Sequence, residues 1–511
     1  MEAIRQPEAK RFDWKTAWVA VILFSFVFRV YILLDPTKEP IYQILYNLLY
    51  VAAGTCALQC ARFRADTGFR LMVPCFLWAV FSCALHVYQE REALHLSAYF
   101  LMMILAFFVC YPLAFALGQE RMRRAFSAIA AAYLALIAGL CGAGVAVALS
   151  GAAIPSLAGP GYIAASMDGG RLSIFCYPTI SATFCCLGLL IGLYLLARAK
   201  RLWPRVVYGL AMLVIFVALA LTDSRTSGVF FSACFGGFFF LLAGMCLPIR
   251  KRILRAVAAI AVAAVAMAAC YGGLRLSVRA VNAAAAAIHR PAVTQALPEP
   301  APAVQTARLS RRPLHSAPAA TAEQPDAQAG TGAADEPAAA RPLLENFSTL
   351  QGRTFVWEAA VRALKNKPAL LLVGSSPLFV MDAVEPYVEQ LYGGEPFVHL
   401  HSIFFQTLVA FGLPGLLLFG ALICYILYHA LRLFFCGAGT CTLAERALPL
   451  LLFFCIAVDT MEIFLTFSDV IKHSNPWFFL TGGYVAYLSH TRIAKRGRKA
   501  DDEPDPAAAQ A

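Results

Sequence analysis

Residues 206–248 read VVYGLAMLVIFVALALTDSRTSGVFFSACFGGFFFLLAGMCLP, and this stretch decides the fold. Two apolar runs, 206–222 and 227–248, flank the polar residues Asp223, Ser224, Arg225 and Thr226. Each run approaches the roughly twenty residues a helix needs to cross bilayer hydrocarbon. A turn this short sends the chain straight back into the apolar phase. The pattern therefore predicts a pair of antiparallel membrane helices with a charged turn at the surface.

The rest of the chain has the same character. Of 511 residues, 60% are hydrophobic and 14% charged, and the mean hydropathy is +0.67. A soluble protein carries nearer a quarter charged residues. The net charge of +12 does not point to nucleic acid, because the basic residues fall in short clusters between apolar runs, as topology signals do. The sixteen cysteines fall mostly inside those runs, as at Cys176, Cys185, Cys186 and Cys234. No Cys-x-x-Cys pair stands beside a His cluster, so they read as small packing residues and no metal site is expected. The first apolar run ends in Leu33-Leu34-Asp35-Pro36 without a small-residue cleavage site, and is expected to remain as a span.

Working outward from the hairpin, candidate spans are 16–34, 41–60, 71–88, 97–117, 125–149, 173–197, 206–222, 227–248 and 256–273, then 412–435, 447–467 and 476–490. The predicted fold is an all-α polytopic membrane protein of about twelve helices. Odd-numbered gaps hold single basic residues: Lys38, Arg91, Arg171, Arg225 and Lys472. The first four even-numbered gaps hold clusters, such as Arg121/Arg123/Arg124 and Arg250/Lys251/Arg252/Arg255, and both tails are basic. The positive-inside rule places the clusters and both termini in the cytoplasm. Four regions follow: nine spans in 1–273, an outer loop over 274–402, three spans in 403–490 and a cytoplasmic tail over 491–511.

The outer loop has two parts. Residues 283–341 are rich in Ala and Pro, as in Pro298-Glu299-Pro300-Ala301-Pro302. Such a stretch buries too little apolar surface to offset its ordering entropy, and is predicted to be disordered. Over 342–402 a helical pattern places Arg353, Trp357, Ala360 and Leu364 on one face. That helix is expected to stop before Pro368, and Gly374-Ser375-Ser376-Pro377 reads as a turn.

Three residues of the outer side could carry chemistry. Arg225 sits at the hydrocarbon edge, where a guanidinium needs an anionic partner or water; it either serves a ligand or pairs with Asp223. Arg353, near the start of an amphipathic helix, is either a phosphate-binding cation or a surface residue beside Glu358. His401, in Val398-His399-Leu400-His401-Ser402, is either a general base near neutral pH or a structural residue before the next helix. A His-x-His pair can also bind metal, but no cysteine and few acidic residues accompany this one. Two cations and an imidazole at membrane level on one face suit a lipid-linked phosphate with its head projecting outward.

With these residues in view, the chain resembles the bacterial O-antigen ligase/O-antigen polymerase superfamily. The resemblance rests on Thr222-Asp223-Ser224-Arg225-Thr226, then Gly352-Arg353-Thr354-Phe355-Val356-Trp357, Gly374, His399-Leu400-His401-Ser402 and Gly412-Leu413-Pro414-Gly415-Leu416, in that order. Two features depart from the family pattern. Ser402 stands where the family usually has Asn, and the Ala/Pro-rich insert lengthens the gap between Arg225 and Arg353.

The resemblance implies a GT-C-like glycosyltransferase of the bacterial inner membrane with its active site facing the periplasm. The donor would be a glycan on undecaprenyl pyrophosphate, and the acceptor a sugar hydroxyl of lipid A–core. Arg225 and Arg353 would neutralise the departing diphosphate without a metal or other cofactor, and His401 would deprotonate the acceptor, with inversion at C1. His399 would orient His401 or the acceptor, and Trp357 and Ser402 would contact substrate. Asp459 and Glu462 are costly inside a span, and either support the site or pair internally. An O-antigen polymerase or a protein O-oligosaccharyltransferase would use the same donor. A transporter or flippase would instead place polar groups near the midplane on broken helices, often with an internal repeat.

Deleting most of 290–338 is expected to leave activity in place, because a spacer contributes reach rather than contacts. Complete loss of activity at normal expression would contradict the spacer reading.

Overall fold

The computed structural model describes residues 14–31, 66–87, 97, 101, 104, 108–155, 163–168, 170–174, 178–249, 251–288, 350–392, 400–461 and 474–493. Two compact units divide the chain: Met1–His289 with Phe355–Ala511, and Arg290–Thr354. The span expected at 41–60 and most of the Ala/Pro-rich insert lie outside the described residues.

In chain order the helices are α1 (Trp14–Tyr31), α2 (Thr67–Val87), α3 (Leu113–Leu117) and α4 (Gln119–Ser150). A small sheet follows: β1 (Ile154–Pro155), β2 (Ile163–Asp168) and β3 (Arg171–Ser173). Next come α5 (Pro178–Arg198), α6 (Leu202–Leu221), α7 (Arg225–Cys246), α8 (Arg252–Ile288), α9 (Leu350–Asn366), α10 (Ala369–Val373) and α11 (Val380–Tyr392). The chain then forms α12 (Ile403–Cys436), α13 (Leu443–Met461) and α14 (Ser474–Leu488). Among the described residues, seven helices are long and apolar enough to cross a membrane: α2, α4, α5, α6, α7, α8 and α12. Helices α1, α13 and α14 occupy three further expected spans.

Burial follows from which faces are apolar. Helix α5 is apolar all round, and 83% of its spanning window is buried, against α4, α6, α7 and α13. Such a helix belongs in a core. Helix α8 is the opposite case, 17% buried, with Ile253, Val257, Ile260 and Val265 exposed. Lipid is the natural solvent for that face. Phe126, Tyr133, Tyr194 and Trp477 form an aromatic core, with Tyr133 and Trp477 ring centroids 4.9 Å apart and Phe126 and Tyr194 5.0 Å apart.

The most constrained point is a break in α12 at Gly412, where φ is +68° and ψ −174°. Pro414 has no N–H to return to the carbonyl of Ala410, and an unpaired carbonyl inside a membrane protein is costly. Donors arrive from outside the helix. Ser375 N donates to Val409 O at 2.8 Å. The Ser82 hydroxyl is shared between Ala410 O at 3.2 Å and Val373 O at 3.1 Å. Trp78 Nε1 donates to Phe411 O at 2.8 Å. The two backbones approach so closely that a Cβ at Gly374 would collide with the Ala410 carbonyl, and one at Gly412 would lie 2.8 Å from Leu372 O. Both glycines also sit at positive φ, which L side chains rarely adopt.

Helices α2 and α12 are tied again toward the other end of α2. Tyr425 Oη donates to Asp66 Oδ1 at 3.0 Å, and His490 Nε2 lies 3.6 Å from the same oxygen. Asp66 in turn caps α2, accepting Phe69 N at 3.1 Å. The two ties make α2 and α12 antiparallel, as the expected alternation of spans requires.

Two features depart from the sequence reading. The antiparallel sheet, in order β1-β2-β3, adds strand to a fold expected to be all-α. Its register pairs Asp168 with Arg171, and the sequence that separates them, Gly169-Gly170, is a recognised cue for a two-residue hairpin. Helix α8 runs on to Ile288, past the end expected at 273 and into the start of the predicted disordered insert. The alanines at 283–287 explain this, since alanine is the strongest helix former and no proline intervenes before Pro291.

Trp78→Phe keeps an aromatic ring but removes the indole hydrogen bond to the Phe411 carbonyl. It is expected to cost about 1–3 kcal/mol, read as a lower Tm of the detergent-purified protein. Gly374→Ala is expected to cost more. Wild-type Tm in both variants would contradict the description of the break.

Candidate functional site

The polar turn between α6 and α7 is built from its own side chains. Thr222 Oγ1 donates to Leu219 O at 2.7 Å and accepts Ser224 N at 3.4 Å. Asp223 takes a left-handed φ of +44°, a conformation Asp tolerates better than most residues. Ser224 is the N-cap of α7, but its hydroxyl meets Ser227 Oγ at 3.1 Å and makes no capping bond. Gly228 N closes the first helical bond, to Ser224 O at 2.9 Å. The N–H groups of the first turn are thus left for solvent or a ligand. From the sheet, Arg171 Nε donates to Thr222 O at 3.0 Å and fixes the turn from a second direction.

Arg225 is the first residue of α7 and lines an open cleft with Asp223, Ser224, Gly228, Tyr271 and Arg275. Arg275 comes from α8, in the segment expected to have left the membrane. Its Nη1 lies 3.4 Å from Asp223 Oδ1, its Nη2 donates to Tyr271 Oη at 3.2 Å, and its guanidinium lies 5.5 Å from the Tyr271 ring centroid. Asp223 therefore pairs with Arg275, while no hydrogen bond or ion pair to the Arg225 side chain is seen among the described residues. Two guanidinium groups face one carboxylate, which leaves the cleft with a positive excess suited to an anion.

A second cluster holds His401. Trp357, on α9, donates its indole Nε1–H to Leu400 O at 2.8 Å and stacks on Phe405 with ring centroids 5.7 Å apart. Leu400 N donates to the Oε1 of buried Gln406 at 3.0 Å. Both peptide groups of fully buried Leu400 are therefore clamped. His401 follows with a left-handed φ of +49°, an uncommon conformation that persists only where the surroundings impose it. The clamp on Leu400 is such a surrounding, and it fixes the point at which the backbone turns into α12. Ser402 is the buried N-cap of α12, its hydroxyl making no capping bond.

The expected site residues thus fall into separate groups. Arg225 shares its cleft with Arg275, and His401 does not line that cleft. Trp357, expected to touch substrate, uses its indole N–H to brace the residue before His401. Arg353, in the first turn of α9, belongs to the second compact unit. His399, Glu462 and the Asp459 side chain lie outside the described residues. Sequence reading missed Arg275, Tyr271 and Gln406. For Arg275 a signal existed: Arg275 and Arg279 follow the ninth apolar run, on the side expected to be outer, where topology signals do not call for basic residues.

Residues 210–420 match the family model described as O-antigen ligase, a stretch that includes Arg225, Arg353 and His401. No curated protein matches the chain, and neither does any solved structure.

Removing either half of the Leu400 clamp is expected to free that peptide. Trp357→Phe and Gln406→Ala should each speed amide exchange in the segment 400–406, with α13 unchanged as the internal control. Wild-type exchange in both variants would show that the clamp does not hold the segment.

Proposed function

We propose that this multi-pass membrane protein, whose residues 210–420 match the O-antigen ligase family model, is a glycosyltransferase of the inner membrane, working on the periplasmic face. It moves an O-antigen glycan from undecaprenyl pyrophosphate to a sugar hydroxyl of lipid A–core. The observation that supports this reading best is the Arg225 cleft: a positively charged pocket beside the first turn of a membrane helix, suited to a phosphate carried on a lipid.

The chemistry follows from the residues. The diphosphate is already an activated leaving group, so the barrier falls when its growing negative charge is met by fixed positive charge. Arg225 and Arg353 supply that charge. His401 takes the proton from the acceptor hydroxyl as its oxygen attacks C1. The new C1–O bond forms as the bond to the diphosphate oxygen breaks, with inversion, and undecaprenyl diphosphate leaves. His399 orients the imidazole or the acceptor, Ser402 lies beside the acceptor, and Asp459 supports the site. Trp357 acts through the backbone of Leu400, holding His401 in its left-handed conformation. No divalent metal has a step to perform.

Arg225→Ala, Arg353→Ala and His401→Ala are each expected to reduce transfer by at least about 100-fold while the protein stays in the membrane. The assay combines purified protein, lipid-linked glycan and lipid A–core, with chelator present. Normal transfer in all three variants would refute the site, and transfer lost to chelator alone would refute the metal-free mechanism. In cells, loss of a ligase leaves core without O-antigen while lipid-linked polymer accumulates. Core capped with a single repeat unit would assign the protein to the polymerases instead.

A further inference from the structure

The Arg225 cleft contains a second arginine that the reaction above does not use. Arg275 lies about 35 Å along the axis of α8 from Arg252, just beyond the roughly 30 Å of bilayer hydrocarbon. It is therefore at the level where a lipid's phosphates sit. Its pairing with Asp223 is loose, at 3.4 Å, with the two side chains 41% and 42% exposed. Exposed pairs of this kind contribute little stability, and an anion with more than one charge competes well for the guanidinium. Its contact with Tyr271 is different in kind. The hydroxyl accepts Nη2 and the ring lies against the guanidinium, so Arg275 is held in place whether or not Asp223 is engaged.

We propose that Arg275 is a diphosphate-binding residue of this cleft, held by Tyr271 and occupied by Asp223 until a lipid-borne diphosphate displaces the carboxylate. Arg225 and Arg275 then flank the anion, and Asp223 sets how readily it enters. The proposal rests on the reading of a lipid-diphosphate donor given above, and adds a binding residue and a competing carboxylate to it. Arg275 tightens binding in both ground state and transition state, so its loss acts mainly on donor KM rather than kcat.

The test is direct binding to the full-length protein in nanodiscs, with undecaprenyl diphosphate, undecaprenyl monophosphate and inorganic pyrophosphate as probes. Arg275→Ala should weaken undecaprenyl diphosphate binding by about 10- to 100-fold, and Arg275→Lys should restore part of it. Asp223→Asn keeps a residue that accepts the left-handed backbone, and should tighten binding. Undecaprenyl diphosphate should bind more tightly than either other probe. Equal affinity for inorganic pyrophosphate would overturn the lipid-borne assignment. Wild-type affinity and wild-type donor KM in Arg275→Ala, or no diphosphate binding by the wild-type protein, would overturn the proposal outright. Binding needs no turnover, so the two readings fail separately. Loss of binding in Arg275→Ala from a protein that transfers no glycan keeps this proposal and removes the enzyme, whereas normal Arg275→Ala binding in an active transferase does the reverse.

Discussion

Inside a membrane, each backbone carbonyl that leaves a helix must find a donor within the protein. Helix α12 meets that requirement at one place. Around Gly412 the carbonyls of Val409, Ala410 and Phe411 receive Ser375, Ser82 and Trp78. These donors come from two elements, α2 and the turn after α10. The break therefore fixes three segments against one another, and the segment just ahead of it carries His401.

Local strain near the site has a visible cause in each case. Asp223 and His401 are two of only three non-glycine residues at positive φ among those described. Asp223 is held by a turn that bonds to itself and by Arg171 from the sheet. His401 follows a residue clamped at both its N–H and its carbonyl. Rigid support of this kind is what charge-stabilising chemistry requires, because groups that must reorganise during the reaction lose much of their effect. The small sheet packs Leu172 into the core and braces the turn at Asp223 through the hydrogen bond from Arg171 to Thr222 O.

Much of the helix order was legible in the sequence, because runs such as 206–222 and 227–248 are long and their boundaries are charged. Arg225, Arg353 and His401 stood out for a related reason: polar groups are conspicuous beside apolar runs. What lay beyond reading was set by contacts between distant segments. Nothing in Trp357 or Gln406 announces Leu400 as a common partner, and Arg275 becomes informative only when α8 is laid beside the turn at Asp223. Strands of two to six residues carry too little periodicity to register beside twenty-residue apolar runs. Helix α8 continues beyond the span expected at 256–273 because the alanines at 283–287 favour helix and no proline intervenes before Pro291.

The most direct measurement is a cryo-EM map of the full-length protein in a lipid nanodisc with undecaprenyl diphosphate bound. Phosphate density is expected against Arg225 at the start of α7, with the His401 imidazole and the Arg353 guanidinium facing the same space from the periplasmic side. Density at the Asp66 end of α2, or an imidazole remote from the phosphates, would contradict the enzyme and leave only the membrane architecture standing.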